Sequence, residues 1–214
     1  MDPSDTASKI YSEAVVVDGL NVSNWESPAV FDSLNAGGVT AINATIAVWE
    51  GYAEAMDNVA AWIRRFGERE ANLSQVTGVQ DILDAKRSGK TGVILGWQNA
   101  SPIENDLDRL DLFYGLGVRV IQLTYNERNL LGNGCWERND DGLSHFGADA
   151  VREMNRLGIL IDLSHVGDRT TLEAIELSDV PVACTHANAR SFFANQRNKT
   201  DDAIRHTFGT LEDF

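Results

Sequence analysis

Two histidines at the ends of two apolar runs are the residues whose types and spacing first suggest chemistry. "LGILIDLSHVGD" (Leu157 to Asp168) runs branched apolar residues into Asp-Leu-Ser-His, and "VPVACTHANAR" (Val180 to Arg190) repeats the pattern, delivering His186 after His165. Apolar runs without alternation fit strands covered on both faces, as in a parallel sheet wrapped by helices. The C-terminal ends of such strands are where ligands gather in α/β folds, because the loops leaving them converge around the rim of the sheet. The pattern therefore predicts two imidazoles at one rim.

Neutral imidazoles are the commonest zinc ligands, and a catalytic zinc takes about three protein ligands plus a water whose pKa falls toward 7. A third ligand should arrive from another strand end. Those ends offer Leu20, Asn21 and Val22 on the first strand, Gln98 on the third, and Tyr125 and Asn126 on the fourth, none of them a carboxylate. The residues alone leave two readings open: metal ligands, or polar groups satisfying each other at a barrel rim. Nucleophilic catalysis fails on geometry, since Ser164 and His165 are adjacent on a strand and point to opposite faces. The sequence holds no GxSxG elbow, HExxH, P-loop or GxGxxG motif.

The elements that must position these residues alternate as repeated βα units. Strands are predicted at Ala14 to Leu20, Val39 to Val48, Thr91 to Gln98, Val118 to Asn126, the run ending at His165, and Val180 to Cys184, with "SQVTGV" as a minor strand. Helices are predicted near Pro28 to Leu34, around Asp81 to Arg87, and from Phe146 to Leu157 before a turn at Gly158. A longer helix buries Val59, Trp62, Ile63 and Phe66 as one stripe. Asn105 is expected to cap a helix burying Leu107, Leu110 and Tyr114, and Asp168 to cap another. The polar stretch "NERNLLGNGCWERNDDGLS" suits a compact functional loop over the strand ends. About six units are legible, whereas a closed TIM barrel needs eight and usually ~250 residues. The fold is either a doubly wound sheet or an incomplete TIM-like (β/α) barrel.

A chain of 214 residues suits a single domain that buries roughly 70% of its unfolded surface. Its formal charge, 18 − 32 = −14, repels phosphate backbones and anionic membrane surfaces, which argues against nucleic-acid and membrane partners. Cys135 and Cys184 are the only cysteines and form no CxxC pair, which argues against a disulfide framework or a thiolate zinc site. No signal-like or membrane-spanning run is present in this sequence, so a cytoplasmic location is expected.

Several blocks together resemble the membrane (renal) dipeptidase family of binuclear zinc peptidases: "EMNRLGILIDLSHVGD", "THANAR", "QRNKTDDAIR", "DLDRLDLFYGLGVRVIQLTYN" and "DGLSHFGADAVREMNRLG". The resemblance runs from Asp18 to about Arg205 and is most distinctive from Gly142 to Arg197. It implies a (β/α)8 barrel and a zinc-bound hydroxide that attacks a dipeptide or a related small amide. His165 and His186 fall on the family's two histidine ligands of one zinc. Arg197 matches the arginine that grips the substrate carboxylate, a role suited to guanidinium's planar fork. Asn21 is a further candidate substrate contact.

The departures shape the expectation as strongly. The family's His-x-Asp ligands correspond here to Leu20 and Val22, and its bridging glutamate to Gln98, a carboxamide that bridges two dications poorly. A histidine that contacts the reacting carbonyl corresponds to Tyr125, which retains a hydroxyl able to donate to an oxyanion. At most one zinc is expected, at His165 and His186 with Gln98 nearby, and hydrolytic competence becomes doubtful. The alternatives are a non-hydrolytic small-molecule-binding or biosynthetic relative, or an inactive barrel fragment. The family's eighth-strand aspartate has no counterpart before Phe214, and "HTFGTLEDF" differs from the expected glycine-rich seventh strand. Truncation or a shifted reading frame is therefore expected, with the edges of strands one and six open to self-association into a homo-oligomer.

Overall fold

The central apolar runs form parallel strands because both of their faces are covered, while the first strand is only partly buried. In the computed structural model, which describes residues 3–212 and the side chains of 6–207, these strands are β1 (Val17–Asn21), β2 (Ala41–Ala47), β3 (Leu73–Gln75), β4 (Thr91–Trp97), β5 (Val118–Gln122) and β6 (Leu160–Asp162). Their order is β1-β2-β4-β5-β6, all parallel, with β3 and β5 sharing the far edge of β4. β3 pairs with Thr91 to Val93 and β5 with Leu95 to Trp97. The minor strand expected around "SQVTGV" is thus real and starts at Leu73. The sheet curls into a half-barrel, as an incomplete TIM-like barrel requires.

The expected strand over Val180 to Cys184 is reduced to one bridge between Asp162 and Ala183. Ala183 donates to Ile161 O at 2.9 Å and accepts from Leu163 N at 2.7 Å. Pro181 has no N–H to extend that ladder, which is why the segment stays short. The curl still carries it across the barrel to β1. A Cβ on Gly19 would lie 3.1 Å from Thr185 O, so only glycine leaves β1 comfortable room there.

Helices α1 (Pro3–Glu13), α2 (Pro28–Ala36), α3 (Tyr52–Glu68), α4 (Val79–Ser88), α5 (Asp108–Gly115), α6 (His145–Leu157), α7 (Asp168–Leu177) and α8 (Asp201–Glu212), with one 3-10 turn at Ser101–Ile103, complete the regular elements of the described residues. On α3 the buried stripe is Ala55, Val59 and Trp62, with Phe66 packed against it, while Ile63 is 50% exposed. Ile63 was expected inside; its position about 100° round the helix from Trp62 turns it to solvent. Trp62 instead meets Trp25 and Phe31 edge-on.

Two cap assignments shift as well. Asn105 does not cap α5; Asp106 Oδ1 accepts from Asp108 N at 3.1 Å. Asp168 is the first residue of α7 rather than its cap. That service comes from the long loop: Asp140 accepts from Arg169 N at 2.7 Å and from the Thr170 hydroxyl at 2.7 Å. Asp168 is thereby free to take the Arg190 guanidinium bidentately at 2.6 and 2.7 Å. Arg190 also donates to Asn198 O, fastening the segment between His186 and Lys199 to the start of α7. The helix ahead of β6 follows expectation: the Ser144 hydroxyl accepts from Gly147 N, and Gly158 closes α6 at φ 80°.

Candidate functional site

His165 follows β6, and its backbone is left-handed at φ 60°; Asn126, past the end of β5, stands at φ 61°. Non-glycine residues hold that conformation only where their surroundings over-determine it, and such positions concentrate at functional sites. Here the long polar loop does the holding. Cys135 N donates to His165 O and Trp136 N to Asn126 O, both at 2.8 Å. Asn126 Oδ1 lies 2.6 Å from His165 Nδ1, so the amide oxygen takes the Nδ1 proton and Nε2 keeps its lone pair.

His186 is oriented by a longer chain of donors. The Thr185 hydroxyl donates to Asp162 Oδ2 at 2.6 Å and stands 2.8 Å from His186 Nδ1. Because that hydroxyl proton points at the carboxylate, Thr185 Oγ1 accepts from His186 Nδ1–H, an assignment fixed by the network. His186 Nε2 is left buried and without a partner among the described residues. The two rings lie 5.0 Å apart at 52°, and Tyr125 stacks on His165 at 4.1 Å and 24°. Trp49, 63% exposed, extends the row edge-on to Tyr125 at 5.1 Å.

Arg197 closes the other side. It donates through one guanidinium nitrogen to His186 O at 2.6 Å, while Nη1 is buried with no partner among the described residues. Behind it Lys199 is 3% exposed, its ammonium held by Val166 O at 2.8 Å and the Thr171 hydroxyl at 2.9 Å. Tyr125, His165, His186 and Arg197 are therefore brought together. The other two candidates make their side-chain hydrogen bonds to neighbours outside this group, although the Gln98 side-chain oxygen, the atom a metal would take, accepts none among the described residues. Gln98 is buried and donates to Thr45 Oγ1 at 3.1 Å. Asn21 donates to Asp18 Oδ2 at 2.9 Å and accepts from Ser23 N at 3.1 Å.

Electrostatics keep both imidazoles neutral. Burial, then the charges of Arg197, His186 and Lys199, push the pKa of His165 down to about 3. Burial also lowers that of His186, with Asp162 opposing the shift. A folded-state pKa below the unfolded value of 6.5 means that the unfolded chain binds more protons, so this contribution to stability is present above pH 6.5 and fades on acidification. In chelator-treated protein, unfolding free energy is expected to fall between about pH 6.5 and 3, less steeply in His165→Gln. Superimposable profiles for the two proteins would refute this.

The donors present fit one zinc ion in part and do not fit two. Each Nδ1 is engaged by the protein, leaving Nε2 for a metal, which is the usual outer-shell arrangement around histidine ligands. Rings held 5.0 Å apart match two imidazoles on one tetrahedral ion with bonds of about 2.0–2.1 Å. A second ion lacks its ligands: no group of three or more His, Cys, Asp or Glu suited to a metal occurs among the described residues. Leu20 is partly buried and Val22 is 65% exposed, and neither donates to metals. The residues that sequence reasoning missed are the supporting ones, Asp162, Thr185 and Lys199, along with Trp49. Asp162 was readable as an acidic residue inside an apolar strand.

The chain is similar in sequence and fold to known proteins. The family model described as membrane dipeptidase (peptidase family M19) matches residues 5–209. An uncharacterized dipeptidase of Schizosaccharomyces pombe is 35% identical over 138 residues, covering 62% of this chain and 33% of that protein. An amidohydrolase from Pseudomonas aeruginosa superposes with a TM-score of 0.92 at 37% identity, over 95% of this chain and 62% of the other. A metallopeptidase from Rhodobacter sphaeroides, liganded with a phosphinate mimic of L-Ala-D-Ala, shares the fold with a TM-score of 0.79 at 20% identity, over 92% of this chain and 71% of its own. The matched segments span 30% to 38% of the curated relatives. No helix among the described residues is long and apolar enough to cross a membrane. With a matched model over nearly its whole length, the chain belongs to the membrane dipeptidase family, peptidase family M19.

Proposed function

We propose that this chain carries a dipeptide-binding site of the metallodipeptidase type, with at most one zinc ion held by His165 and His186. The observation that carries the reading is a pair of unpartnered buried atoms, His186 Nε2 and Arg197 Nη1, on residues joined by the hydrogen bond from Arg197 to His186 O. One offers a lone pair and the other a charged donor, and burying either without a partner costs about 1–3 kcal/mol. A metal ion and a substrate carboxylate satisfy both.

In this reading Arg197 grips the carboxylate of a dipeptide or related small amide, and the Tyr125 hydroxyl donates to the carbonyl oxygen as charge develops there. Asp162 and Thr185 hold His186 in the tautomer that exposes Nε2, and Asn126 does the same for His165. When bound, zinc supplies a Lewis acid and a water of lowered pKa. Two free cysteines, Cys135 and Cys184, suit a reducing compartment, so a cytoplasmic setting belongs to the same proposal. So does self-association through the outer edge of β1, which pairs with no strand among the described residues.

A second reading, binding without turnover, is favoured by Leu20, Val22 and Gln98, which leave the ion short of a third strong ligand. Calorimetry with Gly-Leu and stoichiometric zinc tests the site, and a ninhydrin assay on the same samples separates the readings. Saturable binding is expected, weakened at least tenfold in Arg197→Met, since a charge-assisted pair contributes about 1.5–3 kcal/mol. Equal affinity in that variant would defeat the assignment of Arg197; binding with no release of amino acids selects the second reading.

A further inference from the structure

Behind Arg197 the core holds a cation. Lysine is almost never fully buried unless it is paired, yet Lys199 is 3% exposed. Both partners of its ammonium, Val166 O at 2.8 Å and the Thr171 hydroxyl at 2.9 Å, are neutral oxygens. Burial pushes its pKa below the ordinary lysine value. Neutral acceptors offset the desolvation of a charge only in part, so packing alone does not account for lysine where methionine would fill the same core. Residues that break a rule of core composition gather at functional sites.

The position of Lys199 joins the two histidine-bearing segments. Val166, whose carbonyl the ammonium holds, follows His165 directly, and His165 has the left-handed backbone at φ 60°. The Lys199 main chain holds the other segment: its N–H donates to Asn188 O at 2.9 Å, its carbonyl accepts from Arg190 N at 2.8 Å, and it bridges Ala189 in parallel. Asn188 lies two residues beyond His186, and Arg197 stands two before Lys199. One residue ahead of His165, the buried Ser164 hydroxyl accepts from His186 N at 3.1 Å. His165 is thus bracketed: Ser164 ties the residue before it, and Lys199 the residue after it, to the segment of His186.

We propose that Lys199 is a positioning residue, which fixes the separation of the His165 and His186 rings and the place of Arg197 beside them by linking the chain after one histidine to the chain after the other. The inference rests on the reading of this site as a ligand-binding one. The ammonium touches no ligand itself and acts through the Val166 carbonyl. A lysine that only fastened α7 to the core would act through Thr171, on stability alone.

Imidazole nitrogen NMR spectra of the zinc-free chain, urea denaturation and a zinc competition titration test it together. The parent is expected to show both rings as the Nδ1–H tautomer. Lys199→Met is expected to keep the parent's circular dichroism while both imidazole signals broaden or become tautomer mixtures, and to lose roughly tenfold or more in zinc affinity, as for other losses around histidine ligands. Lys199→Gln keeps a neutral donor on a side chain one bond shorter; it is expected to shift the same signals less, and it decides the matter where the methionine variant does not fold. Thr171→Val removes only the helix partner, so it is expected to lower the urea midpoint and leave the imidazole spectrum as in the parent. A parent that binds no zinc defeats the reading of the site, and the imidazole comparison then judges Lys199 by itself. Parent-like imidazole spectra in the folded lysine variant, the same disturbance in Thr171→Val, or failure of both lysine variants to fold would overturn the proposal.

Discussion

Gly134→Ala will destabilise the protein by about 3 kcal/mol and weaken ligand binding at the histidine site at least tenfold. A Cβ at this position would lie 2.1 Å from the Asn126 carbonyl carbon and 2.5 Å from Glu127 N. Both are backbone atoms, so no rotamer change relieves the clash. Gly134 also bridges to Val166, and its neighbours Cys135 and Trp136 donate to His165 O and Asn126 O. Whatever moves to admit the methyl group moves the two left-handed residues that aim the His165 ring. Gly67→Ala is the matched control, since nothing lies within 4 Å of its Cβ and alanine in a helix is favoured over glycine by roughly 0.5–1 kcal/mol. Urea denaturation of the two variants decides the matter. Equal midpoints would mean that the loop is not what positions the site.

His186→Ala will abolish zinc binding at stoichiometric concentrations, and Thr185→Val will weaken it by about 10- to 100-fold. The first removes one of two imidazoles from a site with no third His, Cys, Asp or Glu in reach. The second leaves the ligand but breaks the link from Asp162 through Thr185 to Nδ1, and outer-shell losses of that kind cost 10- to 100-fold in affinity. Thr185→Val keeps the side-chain shape, so its melting transition should change far less than its zinc affinity. A competition titration with a chromogenic chelator reads both. Were Thr185→Val to bind zinc as tightly as the parent, Asp162 would be a structural carboxylate and not part of the site.

The sheet was legible because its strands are apolar on both faces: Val39 to Val48 and Thr91 to Gln98 give β2 and β4 nearly to the residue. The histidine pair was legible because each follows a short apolar run, although only the run before His165 forms a strand. The signals that misled were local. Asn105 and Asp168 have the chemistry of helix caps, but Asp106 and the distant Asp140 do the capping, and a partner about thirty residues away in the chain leaves no local trace. Val180 to Cys184 reads as a strand, yet Pro181 limits it to one bridge. Gln98 sits at a ligand position by resemblance, and its hydrogen bond to Thr45 is a tertiary fact that no spacing reveals. Asn126 was read only as a strand-end amide; its role in setting the His165 tautomer depends on a positive φ that sequence does not show.

Zinc stoichiometry tests the central claim most directly. Apo-protein titrated with zinc and freed of excess metal is expected to retain one ion per chain at most, and none once His165 and His186 are both alanine. Two ions per chain, or one ion retained by the doubly substituted protein, would contradict the site described.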